Sequence, residues 1–140
     1  MGKTKLIDLA NMDTVKGSNA GFDIKIYHPG TLVDLGITIT VLGKDSDEFQ
    51  KVSRSQQKKR MAKMTKGGFR AQNLTPPPEE IEADGLDLLA KCTTGWTGVI
   101  VEGKEIEFTV DNATMIYTRF PWIKEQVDVA VGDRANFIKA

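Results

Sequence analysis

The sequence predicts an α+β fold in a single domain. Three observations carry that reading. Two stretches near the N-terminal end alternate apolar and polar residues with period two, as half-buried strands do. Four further stretches carry apolar residues at helical spacing behind capping residues or proline. The 140 residues, 40% hydrophobic and 27% charged, have the composition of a globular chain. A domain of this size hides roughly two-thirds of the surface that its unfolded chain exposes.

Residues 1–20 show little periodicity and contain Gly17-Ser18-Asn19, so they read as a flexible N-terminal arm ahead of a domain spanning 21–140. Phe22, Ile24 and Ile26 then alternate with Asp23, Lys25 and Tyr27, and Ile37, Ile39 and Val41 alternate with Thr38 and Thr40. With a Pro29-Gly30 turn between them, these runs predict an antiparallel pair over 22–28 and 36–42. Asp45 and Ser46 can cap a helix over 47–64, with Asp47 and Glu48 favouring its first turn. Beyond Val52 this helix is polar apart from Met61 and Met64, so its far half buries little.

Gly67-Gly68 through Pro76-Pro77-Pro78 reads as a hinge and stiff spacer at 65–78. Pro78 can open a helix over 78–93, with Ile81, Leu88, Leu89 and Cys92 as its buried stripe and Gly95 as the residue that ends it. A second strand pair is expected at 97–101 and 104–108. With Glu102-Gly103 as the turn, Val99 faces Ile106 and Thr97 faces Phe108, and a longer, bulged loop is the alternative. Thr109 or Asp111 can cap a helix over 110–119, which Pro121 ends. The last helix is expected over 121–137, with Ile123, Val127 and Val131 near one face.

Charge excludes some functions. Nineteen basic residues balance nineteen acidic ones, which argues against a coat for nucleic acid or for an anionic membrane. Apolar runs are no longer than Val99-Ile100-Val101, too short for a membrane span or a secretory leader. Chemistry is scarce as well. One histidine, His28, precedes a turn, and one cysteine, Cys92, lies on an apolar stripe, so neither has a partner for nucleophilic catalysis. No phosphate-binding glycine motif and no metal-ligand cluster is present in the sequence. The expectation is a protein that is not an enzyme and takes no cofactor.

The charges are also segregated. From Lys51 to Arg70 every charged residue is basic, and from Glu79 to Asp87 every one is acidic. The basic half reads either as a contact for nucleic acid or an acidic partner, or as a solvated helix that pairs with acids of its own chain or of a neighbour. Phe69 is its one aromatic residue, so a stacking platform for nucleic acid is missing. Because the spacer separates the two halves, self-association is expected. Lys51, Arg54, Lys58, Lys59 and Arg60 of one copy would meet Glu79, Glu80 and Glu82 of the next. Phe120 and Trp122, around Pro121, form either a core corner or an exposed anchor, with the core favoured.

Two blocks, in their order and spacing, resemble the tail assembly chaperones of long-tailed bacteriophages. The first is Gly36-Ile37-Thr38-Ile39-Thr40-Val41-Leu42-Gly43-Lys44-Asp45-Ser46-Asp47-Glu48-Phe49. The second begins at Thr94-Gly95-Trp96 and continues through Gly103-Lys104 to Phe108-Thr109. It then takes in Asn112-Ala113, Phe120-Pro121-Trp122-Ile123 and Gln126-Val127. The resemblance covers about residues 20–138. It implies a role without catalysis in the host cytoplasm: binding the tape measure protein, self-associating around it in rings or spirals, recruiting tail tube protein and leaving before the virion is complete. In this family a frameshifted extension commonly contacts the tube protein. The competing readings are a structural virion protein, such as a head–tail connector or small tail subunit, and a nucleic-acid-binding regulator using residues 51–70.

Overall fold

The computed structural model describes residues 6–67 and 77–138. Among them the fold is α+β, built from five α-helices and two small antiparallel sheets. Strands β1 (Phe22–Tyr27) and β2 (Asp34–Val41) pair as the alternation requires, Ile24 opposite Ile39 and Ile26 opposite Ile37. Ile24, Ile26, Ile39 and Val41 point into the core. Phe22, the first residue of β1, stays exposed and meets Phe137 edge-on at 6.0 Å.

The second strand pair differs from the expectation over 97–101 and 104–108. Residues Thr93–Thr97 form β3, which joins the first sheet on the free side of β2, with Trp96 opposite Ile39. Only β4 (Ile100–Val101) and β5 (Lys104–Glu105) remain as a short hairpin. Its turn is Glu102-Gly103, both at positive φ, 53° and 79°. The expected facing of Val99 and Ile106 is kept, the Ile106 amide donating to the Val99 carbonyl at 2.8 Å, whereas Phe108 meets Trp96 in place of Thr97. The Trp96 ring packs edge-to-face on Phe108 at 5.1 Å, and its indole N–H donates to the Ile106 carbonyl at 2.8 Å.

Helix α2 (Asp47–Gly67) begins where Ser46 accepts the Phe49 amide at 3.1 Å. It runs past the expected end at 64. Helix α3 (Pro78–Cys92) passes straight into β3, because Thr93 already has extended backbone, so Gly95 lies in a strand and stops nothing. Ile81 also leaves the expected stripe and is 47% exposed. Helix α4 (Val110–Arg119) is capped by the Thr109 hydroxyl, which accepts the Asn112 amide at 2.9 Å. Helix α5 (Pro121–Gly132) stops short of 137. Asp133 leaves helical geometry and accepts the Ala135 amide at 3.0 Å, starting a 3-10 turn over Arg134–Phe137 that turns Phe137 into the core.

The expected flexible arm is corrected over most of its length. Leu9–Met12 form a 3-10 turn and Thr14–Ala20 form helix α1, whose Ser18 is buried. Helix α1 packs on the C-terminal 3-10 turn so closely that a Cβ at Gly17 would collide with the Phe137 carbonyl. The spacer expected at 65–78 lies mostly outside the described residues; its described ends are Gly67 in α2 and Pro77 before α3.

One core unites these parts. The inner face of the sheet packs against Leu89 and Ala90 of α3, Ile116 and Tyr117 of α4, and Ile123 and Val127 of α5. Trp96 and Phe108 flank this cluster. Tyr117 is buried, and its hydroxyl lies 2.7 Å from that of Thr93, which in turn donates to the Leu89 carbonyl at 2.9 Å. Burial pushes the phenol up to about 12.

Gly17→Ala should destabilise the fold by about 1–3 kcal/mol, because the added methyl meets backbone. A flexible arm would instead leave the urea midpoint unchanged or raise it. Thr93→Val should cost about 1–3 kcal/mol by leaving the Tyr117 hydroxyl unpaired, and a denaturation curve matching the parent would refute that pairing.

Candidate interaction surfaces

On α2, residues three and four apart share a face. Gln56, Arg60 and Lys63 fall on the face turned to α3. The Gln56 amide donates to the Asp84 carbonyl at 2.7 Å, Arg60 pairs with the Asp84 carboxylate at 2.8 Å, and Lys63 pairs with Glu80 at 3.0 Å. Two of the bases and two of the acids are therefore paired within one chain. This corrects the expectation that Arg60 and Glu80 reach a neighbouring copy. The reason is geometric: α2 and α3 lie side by side, so the bases on the facing side, Arg60 and Lys63, find acids without a second molecule.

The other basic candidates are not brought against the acids of α3 expected to meet them. Lys51, Arg54 and Lys58 lie on the opposite flank of α2, along an open groove of about 690 Å³ that also includes Val15 of α1. Lys59 borders a smaller cleft of about 240 Å³ with Asp87 and Lys91. Among the described residues none of these four bases makes an ion pair. Glu79 and Glu82 are exposed on α3.

Phe120 and Trp122 are both half-buried and meet edge-to-face at 6.2 Å, so the corner is neither fully core nor a free anchor. The Arg119 guanidinium sits over the Phe120 ring at 5.5 Å. Trp122 forms one wall of an open groove of about 560 Å³, with Tyr27, Pro29 and Leu32 opposite. Leu32 is 74% exposed and Val129, further along α5, is 72% exposed. Leu32 and Val129 carried no signal of exposure in the sequence, because a loop leucine and an out-of-phase helix valine look like core residues.

The two residues with reactive side chains have structural environments. His28 Nδ1 accepts the backbone amides of Gly30 and Thr31, each at 3.0 Å, and so staples the β1–β2 loop. Cys92 is fully buried, and burial, with Glu48 adding to it, pushes its thiol up to about 12. Among the described residues no group of three or more His, Cys, Asp and Glu is placed to hold a metal ion. Nor is any helix among them long and apolar enough to cross a membrane.

Asp45 and Arg134 form a two-pronged ion pair at 2.7 and 3.0 Å. Arg134 first, and then the Thr14 hydroxyl, holds the Asp45 carboxyl at about 2, against an ordinary 3.8. One carboxylate thus ties α1 and the C-terminal 3-10 turn to the entry of α2. Comparison with protein-family models, curated proteins and solved structures finds no match to this chain.

Three outcomes follow from these contacts. Cys92 should resist alkylation until the chain unfolds, so labelling and unfolding should share one denaturant midpoint; labelling of the native chain would place the thiol at the surface. Asp45 has a depressed folded pKa, so its pair stabilises the fold above pH 3.8 and loses that contribution as pH falls towards 2. Arg134→Met should flatten this part of the acid unfolding curve, which circular dichroism can follow. Reversing Arg60 and Lys63 to Glu should lower stability by about 1–2 kcal/mol, since each exposed or half-exposed pair contributes little. Adding Glu80→Lys and Asp84→Lys in the same chain should recover most of the loss, and failure to recover it would refute the pairing within one chain.

Proposed function

We propose that this chain is a phage tail assembly chaperone that binds the tape measure protein and is not retained in the virion. The observation that carries the reading is where the family-like residues sit. Each block falls on a joint of the fold. Ser46 starts α2, Trp96 packs on Phe108 and bonds Ile106, Asn112 bonds the Glu107 carbonyl at 2.8 Å, and Phe120 and Trp122 form the corner between α4 and α5. The residues that carry the resemblance thus hold the joints of this fold, which supports the reading.

The surface supports the same role. A tape measure is a long helical polymer that must be kept from aggregating, so its chaperone needs open apolar ground that binds weakly and releases. The groove between Trp122 and Leu32 supplies such ground on a small domain. Its walls carry aromatic and aliphatic side chains with His28 and Glu125 at the margin, a mixture suited to the apolar stripe of an amphipathic helix.

The test is co-expression with the tape measure protein of the same phage. The parent chain should keep that protein soluble and co-purify with it, and Trp122→Ala with Leu32→Ser should weaken the capture about tenfold. Finished virions should lack the chain. A tape measure that stays insoluble beside the folded chain would refute the reading, and stoichiometric retention in virions would favour a structural tail or connector protein.

A further inference from the structure

The sheet order β1-β2-β3 leaves β1 with an outer edge on which, among the described residues, no strand lies. Tyr27 shows which of its backbone groups face outward. Its N–H donates to the Gln126 side-chain oxygen at 2.9 Å, and its carbonyl accepts from the Gln126 side-chain nitrogen at 2.9 Å. Both groups therefore turn away from β2. Backbone direction alternates along a strand, so Lys25 and Asp23 turn their N–H and C=O to the same side, while Phe22, Ile24 and Ile26 bond β2. The Asp23 side chain agrees with this phase. It accepts the hydroxyl of Thr40, its opposite residue, as the closer side chains of a non-hydrogen-bonded pair can.

We propose that this edge pairs with the same edge of a second copy, giving an antiparallel two-fold dimer centred on Ile24. The centre follows from charge. With Ile24 opposite Ile24 of the partner subunit, Asp23 lies opposite the partner's Lys25, and Lys25 opposite the partner's Asp23. Both are outward-facing positions, so each pairing supplies two backbone hydrogen bonds and one pair of opposite charges. A shift by two residues loses this match, because Tyr27 or Gly21 would then face a charge.

The end of the edge agrees with the same register. Tyr27 would lie opposite Gly21 of the partner subunit. Gly21 has φ 88°, a left-handed turn at the junction with α1 that carries the chain out of the strand. No backbone partner is left there for Tyr27, and its two groups are the ones that Gln126 already satisfies. Gln126 thus ends the pairing where the two-fold ends it. A groove of about 470 Å³ runs beside the edge, between Ile24 and Lys25 of β1 and Val129 of α5. In the dimer the α5 helices of the two copies flank the seam, and Val129 becomes covered. The six strands form one continuous sheet, an isologous contact that closes after two copies. The inference stands on the sheet alone and does not depend on the chaperone reading.

Sedimentation of the full chain over a range of concentrations tests it. The parent should form dimers and nothing larger through this edge. Asp23→Lys alone places like charges opposite one another twice, as does Lys25→Glu alone, and each should weaken the dimer at least about tenfold. Mixing these two variants in equal amounts should restore a dimer, because each base then meets an acid. The double variant Asp23→Lys with Lys25→Glu should dimerise by itself. Thermal melts taken beside these runs show that each variant is folded. A parent that stays monomeric at its solubility limit overturns the proposal. So does a dimer that neither variant weakens, which would place the contact elsewhere, such as Trp122, or a mixture that fails to re-form.

Discussion

The whole arrangement depends on covering one face of a three-stranded sheet. Ile26, Ile39 and Val41 have no solvent contact at all, yet three short strands cannot bury their own inner face. The chain must return helices to that face from both sides of its sequence. Helices α4 and α5 do so through Ile116, Tyr117, Ile123 and Val127, and α3 arrives with Leu89 and Ala90. Covering the sheet brings the polar wall of the core into place too. Thr93 begins β3 beneath α4, and its hydroxyl joins the Tyr117 phenol to the last turn of α3. A buried phenol needs such a partner, and the α3–β3 junction is where the backbone can offer one.

The same demand explains why the chain's two ends meet. Once α5 lies over the sheet, the 3-10 turn after it lands beside β1, where Phe137 fills the space left by Phe22. Helix α1 then closes the remaining side by direct backbone contact at Gly17. Asp45 sits at the crossing of these pieces and binds Arg134 and Thr14 together. The N-terminal helix owes its order to these contacts, since seven residues are far too few for a stable helix in water.

That origin also explains what the sequence could reveal. Strands β1 and β2 were legible because period two is a local property. The starts of α2, α3, α4 and α5 were legible because Ser46, Pro78, Thr109 and Pro121 act within three residues of themselves. Helix α1 was not, because its stabilising contacts are non-local: Gly17 packs on Phe137, Thr14 bonds Asp45 and Asn19 bonds Asp47. Strand β3 was misplaced for a related reason. Trp96 and Phe108 do belong together, but the spacing of apolar residues cannot tell ring packing from strand pairing. The candidate surface divides in the same way. The charge blocks were visible, but whether Arg60 meets an acid of its own chain depends on the angle between two helices, which no local pattern encodes.

Satisfying that charge internally changes what the outer surface can do. Had Arg60, Lys63, Glu80 and Asp84 remained free, assembly would be governed by screened charge between helices. With them paired within the chain, the described surface offers three distinct kinds of ground. The flank of α2 keeps Lys51, Arg54 and Lys58 outside any ion pair among the described residues, in a groove that Asp45 and Asp47 also line. The corner at Trp122 offers apolar side chains, which attract without regard to backbone direction. The edge of β1 offers aligned backbone groups, which accept only an extended chain in a fixed register. These three surfaces obey different physics. Salt weakens the first, large-to-small substitution the second, and the third responds to the order of charges along a single strand. An unprotected strand edge normally invites open-ended aggregation. Here α1 departs at one end and Gln126 seals the other, so the exposed edge is short enough to recognise one partner and stop.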